Sequence, residues 1–161
     1  MTNRALIAIA FATYVVSGFS QTSYVASGFS RTEDVVSGFS RTAAQTRTVL
    51  DGVYTAEQAK RGQVAYAEQC ASCHLEDLSG TDRGPALAGD PFMNNWVDLT
   101  VGDLFERAYR TMPQDRPGTL MPETTADILA LVLQANGFPA GTTELPADAA
   151  TLKGIVIKRK R

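Results

Sequence analysis

Both cysteines and the only histidine of the chain, Cys70, Cys73 and His74, lie within five residues, in the stretch QCASCHLED. A thioredoxin-like redox pair would accompany a strand–helix–strand pattern. A closed zinc site needs four ligands, so carboxylates would have to complete it, because the chain has no further Cys or His. Covalent attachment of haem uses all three residues, since two thiols form thioethers and the histidine binds iron. The motif therefore favours one haem c, with a structural disulfide as the plainer alternative.

The distribution of charge narrows the choice of partners. The formal net charge is −2, but residues 45–157 carry 8 Lys and Arg against 15 Asp and Glu. This acidic body argues against nucleic acid as the main partner, because phosphates attract basic surfaces. The last four residues, KRKR, are all basic. We interpret them as a solvated, frayed terminus, with contact to an acidic surface or a membrane as the alternative.

The first 44 residues differ in character from the rest. An apolar run from Ala5 to Val16 follows one basic residue, which is typical of a signal peptide and too short for a regular membrane-spanning helix. Residues 14–43 then repeat a ten-residue unit three times, as YVVSGFSQTS, YVASGFSRTE and DVVSGFSRTA. Three such copies are too small for a solenoid. We predict that residues 1–44 are cleaved or disordered, with a weak hairpin stack as the alternative for the repeats.

Cleavage of the signal-like segment is expected before Gln45 or near Ser17–Ser20, where small residues precede the bond. Export to the periplasm or secretion follows from this interpretation, and we expect no stable membrane span. Residues 45–161 are then the folded domain, with a core at about 53–157.

The start of this domain predicts a helix that leads into the cysteine motif. Thr55 followed three residues later by Gln58 is a capping-box pattern at a helix start. Gly62 lies inside the same helix. Because glycine weakens a helix relative to alanine, its presence predicts the close approach of another helix.

Two further helices follow from apolar spacing, in VDLTVGDLFERAYR and PETTADILALVLQANGF. Thr100 and Asp103 make a capping-box-like start for the first, and Pro122 and Gly137 bound the second. The stretches SGTDRGPALAGDPF and MPQDRPGTLMP are predicted loops because of their Gly and Pro content. The tail AGTTELPADAATLKG is expected to wrap over the domain in an extended form.

An electron carrier with low-spin iron needs a second axial ligand, and methionine sulfur pairs with histidine in cytochromes c. Of the four methionines, Met112 and Met121 are each followed by proline in the loop before the last helix. Met112 ends a predicted helix and opens a proline-stiffened loop, so we predict Met112 as the ligand, with Met121 as the alternative.

The segments AYAEQCASCH, GPALAGDPFMNNW, LFERAYRTMPQDRPGTL and ILALVLQANGFPAG together resemble the small single-haem class I cytochromes c. They are most similar to the cytochrome domains that accompany bacterial quinoprotein alcohol dehydrogenases. The resemblance covers residues 53–157 and implies an all-α fold, a cytochrome c-like bundle of three to five helices around one covalent haem.

The resemblance also implies roles for individual residues. The carbonyl of Pro85 would accept a hydrogen bond from His74 and fix its ring. Arg83 and Trp96 would contact the haem propionates, with a half-buried core position as the alternative for Trp96. The chain departs from the pattern at Leu75, where relatives often have glycine. Leu131 replaces an aromatic residue on the last helix.

These observations predict a periplasmic electron carrier that transforms no substrate and is therefore not an enzyme by itself. Its partners would be redox proteins, a quinoprotein dehydrogenase or a terminal oxidase. The alternatives are an electron-accepting subunit of a dehydrogenase complex, a haem-based ligand sensor with an open sixth position, and an assembly protein whose repeats stack haem domains.

Overall fold

The structure, a computed structural model, describes residues 47–160. The predicted signal segment, the ten-residue repeats and the predicted cleavage sites lie outside the described residues, and the boundary before residue 45 stays a prediction. The first described element begins at Arg47, a few residues before the core start predicted near Val53.

The described part of the chain is mostly helical, which confirms the all-α prediction. Six α-helices exceed the predicted three to five because two of them, α2 and α6, have only four residues each. The elements in chain order are β1 (Arg47–Thr48), a 3-10 helix (Val49–Asp51), α1 (Ala56–Gln69), α2 (Ala71–His74), α3 (Gly89–Trp96), α4 (Val101–Thr111), α5 (Pro122–Ala135), α6 (Ala149–Leu152) and β2 (Ile155–Val156). Within residues 47–160, no helix is long and apolar enough to cross a membrane.

The two ends of the described chain pair with each other. β1 and β2 are parallel, with Arg47 opposite Ile155 and Thr48 opposite Val156. The tail predicted to be extended, residues 140–154, contains the helical turn α6, and β2 follows directly after it. The predicted loop at residues 79–92 is likewise shorter than expected, because α3 already begins at Gly89. Pro91 fits there, since the first turn of a helix does not need its missing N–H.

Helices α1 and α5 cross at Gly62, as the sequence predicted. A Cβ atom added at Gly62 would lie 1.9 Å from the carbonyl oxygen of Asp127, so only glycine permits this backbone contact. Arg61 next to it bonds Asp127 and Glu144, each at 3.0 Å. The crossing fixes α1, and with it the motif that α1 leads into.

The predicted capping box at the start of α1 is half right. The Thr55 side chain accepts from the N–H of Gln58 at 3.1 Å. The Gln58 side chain does not return to Thr55 but exchanges two hydrogen bonds with the backbone of Leu145, at 3.0 and 2.8 Å. Gln58 and Leu145 are 87 residues apart in the sequence, so this buried amide ties the segment before α6 to α1.

The capping box at the start of α4 is complete, and it makes stability depend on pH. The Asp103 carboxylate accepts from the N–H and the hydroxyl of Thr100, and these hydrogen bonds lower the pKa of Asp103 from 3.8. A depressed folded-state pKa contributes stability above the unfolded pKa and loses it as pH falls through the folded value. Asp103→Asn is therefore expected to cost about 1 kcal/mol at pH 7 and to flatten the loss of stability below pH 3.8.

Urea denaturation of both proteins between pH 7 and pH 2 measures this effect. Glu68→Gln, which removes an exposed carboxylate of α1, serves as the control and should leave the pH profile unchanged. An Asp103→Asn profile parallel to that of wild type over the whole range would contradict the role of this cap.

The basic tail is docked, so the prediction of a frayed terminus is wrong for Lys158, Arg159 and Lys160. Lys158 pairs with Asp98 at 2.5 Å, and Arg159 pairs with Asp90 at 3.0 Å. Lys160 bonds the carbonyl of Gly137, just after the C-terminal end of α5. A cation is favoured at this end of a helix, because the unpaired carbonyls there carry negative charge.

Candidate functional site

The two cysteines lie at either end of a single helical turn. Cys70 ends α1, where its N–H donates to Tyr66 O at 2.8 Å, and it also precedes α2. The N–H groups of Cys73 and His74 both donate to Cys70 O, at 3.1 and 3.0 Å. Both thiols are half-buried and free, not joined by a disulfide. The turn thus presents two separate thiols and an imidazole from adjacent positions.

The environment of Cys70 disfavours the redox-pair alternative. Burial, and secondarily the charge of Cys73, raises the pKa of the Cys70 thiol to about 11. A catalytic thiol of the thioredoxin type needs a lowered pKa. In residues 47–160, no group of three or more His, Cys, Asp or Glu side chains is arranged to hold a metal ion, so a zinc site completed by carboxylates is not supported either.

The ring of His74 is buried and fixed by the backbone that follows it. Its Nδ1 lies 2.7 Å from the carbonyl oxygen of Pro85, and His74 is 8 % exposed. Because a carbonyl only accepts hydrogen bonds, Nδ1 must carry the proton, and Nε2 keeps its lone pair for a metal. A Cβ at Gly84 would lie 3.0 Å from His74 Cε1, so glycine there leaves room for the imidazole.

Two donors from the loop after the motif bind the carbonyls of α2. The guanidinium of Arg83 donates to Ser72 O at 2.9 Å, and the hydroxyl of Thr81 donates to Cys73 O at 2.8 Å. These bonds satisfy carbonyls that a one-turn helix leaves without partners. The predicted role of Arg83 at the haem propionates stays a prediction, and its observed contact is with the motif backbone.

The peptide after His74 has an unusual conformation. Leu75 has φ 62° and ψ 159°, a region almost reserved for glycine. The hydroxyl of Tyr66 donates to Leu75 O at 2.8 Å. Burial raises the pKa of Tyr66 well above its usual value, so the hydroxyl keeps its proton at ordinary pH.

Leu75→Gly is therefore expected to stabilise the protein by about 1 kcal/mol. Relief of strain gains about 1–3 kcal/mol, and the greater freedom of glycine in the unfolded chain costs about 0.5–1 kcal/mol. The side chain of Leu75 is 41 % exposed, so little packing is lost. Chemical denaturation measures the change. Leu99→Gly, at 44 % exposure and outside the positive-φ region, should destabilise, and a loss of stability in both variants would contradict the strain argument.

The methionines differ in their surroundings. Met112 is half-buried at the end of α4, where its N–H donates to Ala108 O at 3.0 Å, and Pro113 after it is buried. Met121 precedes α5 and is 64 % exposed. Met93 lies in the core at 8 % exposure.

Trp96 is half-buried at the end of α3, where its ring stacks on Phe92 with 6.4 Å between centroids. This is the position of a core aromatic residue, and a contact of Trp96 with propionates stays a prediction. Sequence reasoning missed the hydroxyls of Tyr66 and Thr81, because a hydroxyl bound to a backbone carbonyl leaves no spacing pattern. It also missed the contact of Arg116 Nη2 with Gln69 Oε1, 3.2 Å, which ties the loop after Met112 to the end of α1.

The residues present fit a covalently bound haem. Two free, half-buried thiols stand three residues apart, and the adjacent imidazole is oriented through Nδ1 with Nε2 available. All three belong to one helical turn that hydrogen bonds from the neighbouring loop hold in place.

Comparison with known proteins agrees with this fit. Residues 57–132, just under half of the chain, match the model of a family described as cytochrome C oxidase, cbb3-type, subunit III. The matched segment runs from α1 through the motif and into α5. No curated protein sequence matches the chain.

One solved structure shows a partial likeness. It is the crystal structure of the sulfane dehydrogenase SoxCD from Paracoccus pantotrophus, with a TM-score of 0.45 and 24 % identity, covering 71 % of this chain and 61 % of that chain. The present chain therefore spans less than two thirds of the length of the structure it matches.

Proposed function

We propose that this protein is a c-type cytochrome with one covalently bound haem, and that it acts as an electron carrier with His74 and Met112 as axial ligands. Bound haem c supplies one-electron redox chemistry. Cys70 and Cys73 hold it through thioethers. The observation that carries the proposal is the buried imidazole of His74, whose Nδ1 is 2.7 Å from Pro85 O and whose Nε2 is left free for iron.

The contact with Pro85 does two things for His74. It fixes the ring plane, so that the imidazole need not reorient when the charge at the site changes. It also increases the basicity of Nε2, because the Nδ1–H bond shifts electron density into the ring. A rigid ligand lowers the structural change that accompanies gain or loss of an electron, which favours rapid transfer.

Support for Met112 as the second ligand comes from its anchoring. The residue is half-buried between the last turn of α4 and a buried proline, so holding its sulfur in one position costs little additional conformational entropy. Met121 is 64 % exposed and Met93 is packed in the core. Thioether ligation raises the reduction potential relative to a second histidine.

Electron transfer without substrate chemistry is part of the proposal. Tyr66, Thr81 and Arg83 beside the motif donate to backbone carbonyls, which supports binding and orienting roles for them. Partners would be redox proteins, for which a quinoprotein dehydrogenase and a terminal oxidase are the two classes we propose. The link to quinoprotein alcohol dehydrogenases and the periplasmic or secreted location remain part of the proposal.

Optical spectroscopy of the matured protein tests the proposal. A c-type spectrum with a weak far-red band in the ferric form, and no binding of carbon monoxide to the ferrous form, is the expected result. An absent band together with rapid carbon monoxide binding would overturn the carrier assignment and favour the ligand sensor. Two rates separate the partner classes: the rate at which a quinoprotein dehydrogenase reduces the ferric protein, and the rate at which a terminal oxidase oxidises the ferrous protein.

A further inference from the structure

The conformation of Leu75 needs an explanation outside its own side chain. With φ 62° and ψ 159° it occupies a region that residues with a Cβ avoid. The side chain is 41 % exposed, so packing of the side chain does not hold the backbone there. The surroundings of the peptide itself must therefore stabilise it.

A buried hydroxyl is bonded to this peptide. Tyr66 lies on the last turns of α1 at 2 % exposure, and its OH donates to Leu75 O at 2.8 Å. Among the described residues, one backbone group also donates to that carbonyl, the Leu78 N–H, at the longer distance of 3.2 Å. Tyr66 thus connects α1, which its crossing with α5 holds in place, to the peptide directly behind His74.

Rotation of this peptide would disturb the histidine. If Leu75 relaxed to negative φ, the chain after it would change direction relative to α2. The His74 carbonyl, which accepts from Gly80 N–H at 3.0 Å, and the loop that ends at Pro85 would then shift relative to the imidazole. The 2.7 Å contact between Nδ1 and Pro85 O depends on that alignment.

We propose that Tyr66 is a positioning residue for the haem histidine. Its hydroxyl holds Leu75 in its positive-φ conformation and so keeps the His74 ring aligned with Pro85. This inference rests on the proposed function, since it takes His74 as the iron ligand. The hydroxyl of Tyr66 is bonded to Leu75 O. It acts through Leu75.

The chain offers a matched control. Tyr54 is 1 % exposed, and its OH donates to the backbone carbonyl of Phe138 at 2.7 Å, just beyond the end of α5. Tyr54→Phe and Tyr66→Phe therefore delete the same chemical group from equally buried positions. Only the second deletion concerns the peptide next to His74. Leu75→Gly should restore the His74 alignment in the absence of the Tyr66 hydroxyl, because glycine adopts a positive φ without a hydrogen bond to hold it there.

The experiment uses the haem-loaded protein and its four variants, Tyr66→Phe, Tyr54→Phe, Leu75→Gly and Tyr66→Phe/Leu75→Gly. Nuclear magnetic resonance follows the His74 ring signals and the hydrogen exchange of Nδ1–H, and voltammetry gives the reduction potential. In Tyr66→Phe we expect the Nδ1–H exchange to accelerate about tenfold, as for the loss of one hydrogen bond. The reduction potential should rise, because a weaker Nδ1–H bond makes Nε2 less basic.

Tyr54→Phe should lower stability without changing the His74 signals or the reduction potential. In the double variant Tyr66→Phe/Leu75→Gly, the His74 signals and the reduction potential should return to their wild-type values. Equal effects in Tyr66→Phe and Tyr54→Phe, or a Tyr66→Phe shift that persists with glycine at position 75, would overturn the inference. If Tyr66→Phe alone fails to incorporate haem, a double variant that matures supports the inference, and one that also fails contradicts it.

Failure of the proposed function is recognised separately. The far-red band of wild type reports ligation by a methionine and partner transfer reports the carrier role, whereas the His74 ring signals report the positioning effect. Wild type without a methionine band, but with His74 signals that shift in Tyr66→Phe and recover in the double variant, would reject the ligand set and retain the role of Tyr66.

Discussion

Met112→Ala is expected to abolish the far-red absorption band of the ferric protein and to lower its reduction potential. With Met112 as the proposed ligand, the substitution removes the thioether that favours ferrous iron. The ferrous form of the variant should bind carbon monoxide, which wild type should exclude. Because Met112 is only half-buried at the end of α4, the fold should survive, and circular dichroism of the matured variant checks this.

Met121→Ala is the matched control for this experiment. It removes the same side chain from the other end of the same loop, at a position that is 64 % exposed, so band and potential should stay as in wild type. Survival of the band in Met112→Ala and its loss in Met121→Ala would reassign the ligand. Survival in both variants would leave neither methionine as the axial ligand.

Gly62→Ala is expected to destabilise the protein by about 2 kcal/mol. The added Cβ would lie 1.9 Å from Asp127 O and 2.5 Å from Asp127 C, both backbone atoms of α5, so the helices must separate. Overpacking of this kind costs about 1–3 kcal/mol and at times more, whereas the higher helix propensity of alanine returns about 1 kcal/mol. Thermal and chemical denaturation of the haem-loaded protein measure the difference.

Val64→Ala provides the comparison on the same helix. Val64 is 63 % exposed, and its truncation should change the free energy of unfolding by less than about 0.5 kcal/mol. A Gly62→Ala variant as stable as Val64→Ala would show that α1 and α5 can move apart freely, against the close crossing described above.

The local features of the chain were predictable because their causes are local. Cys70, Cys73 and His74 are adjacent in sequence, so one helical turn brings them together wherever the turn lies. The starts of α1 and α4 follow from Thr55 and Thr100, whose side chains bond N–H groups three residues on. Gly62 indicated a close helix crossing because a glycine inside a helix otherwise only costs stability.

Other features required contacts between distant parts of the chain. Gln58 fits a capping box by spacing, but its amide bonds Leu145, 87 residues away. The basic tail has the composition of a frayed end, yet Arg159 meets Asp90 because the pairing of β1 with β2 brings the chain end back to the domain. No local pattern of residue types predicts either of these two long-range contacts.

The sequence by itself determined which groups are available: two thiols and an imidazole close enough for one helical turn, helices predicted around them, and two methionines as candidates for a second ligand. The resemblance already implied the contact with Pro85 O, whereas only the tertiary structure revealed the space at Gly84 beside the imidazole and the bond from the hydroxyl of Tyr66 to Leu75 O. The physical reason is that ligand identity is a property of single side chains, whereas ligand orientation depends on backbone carbonyls, which every residue carries and which only the folded chain brings to a particular donor.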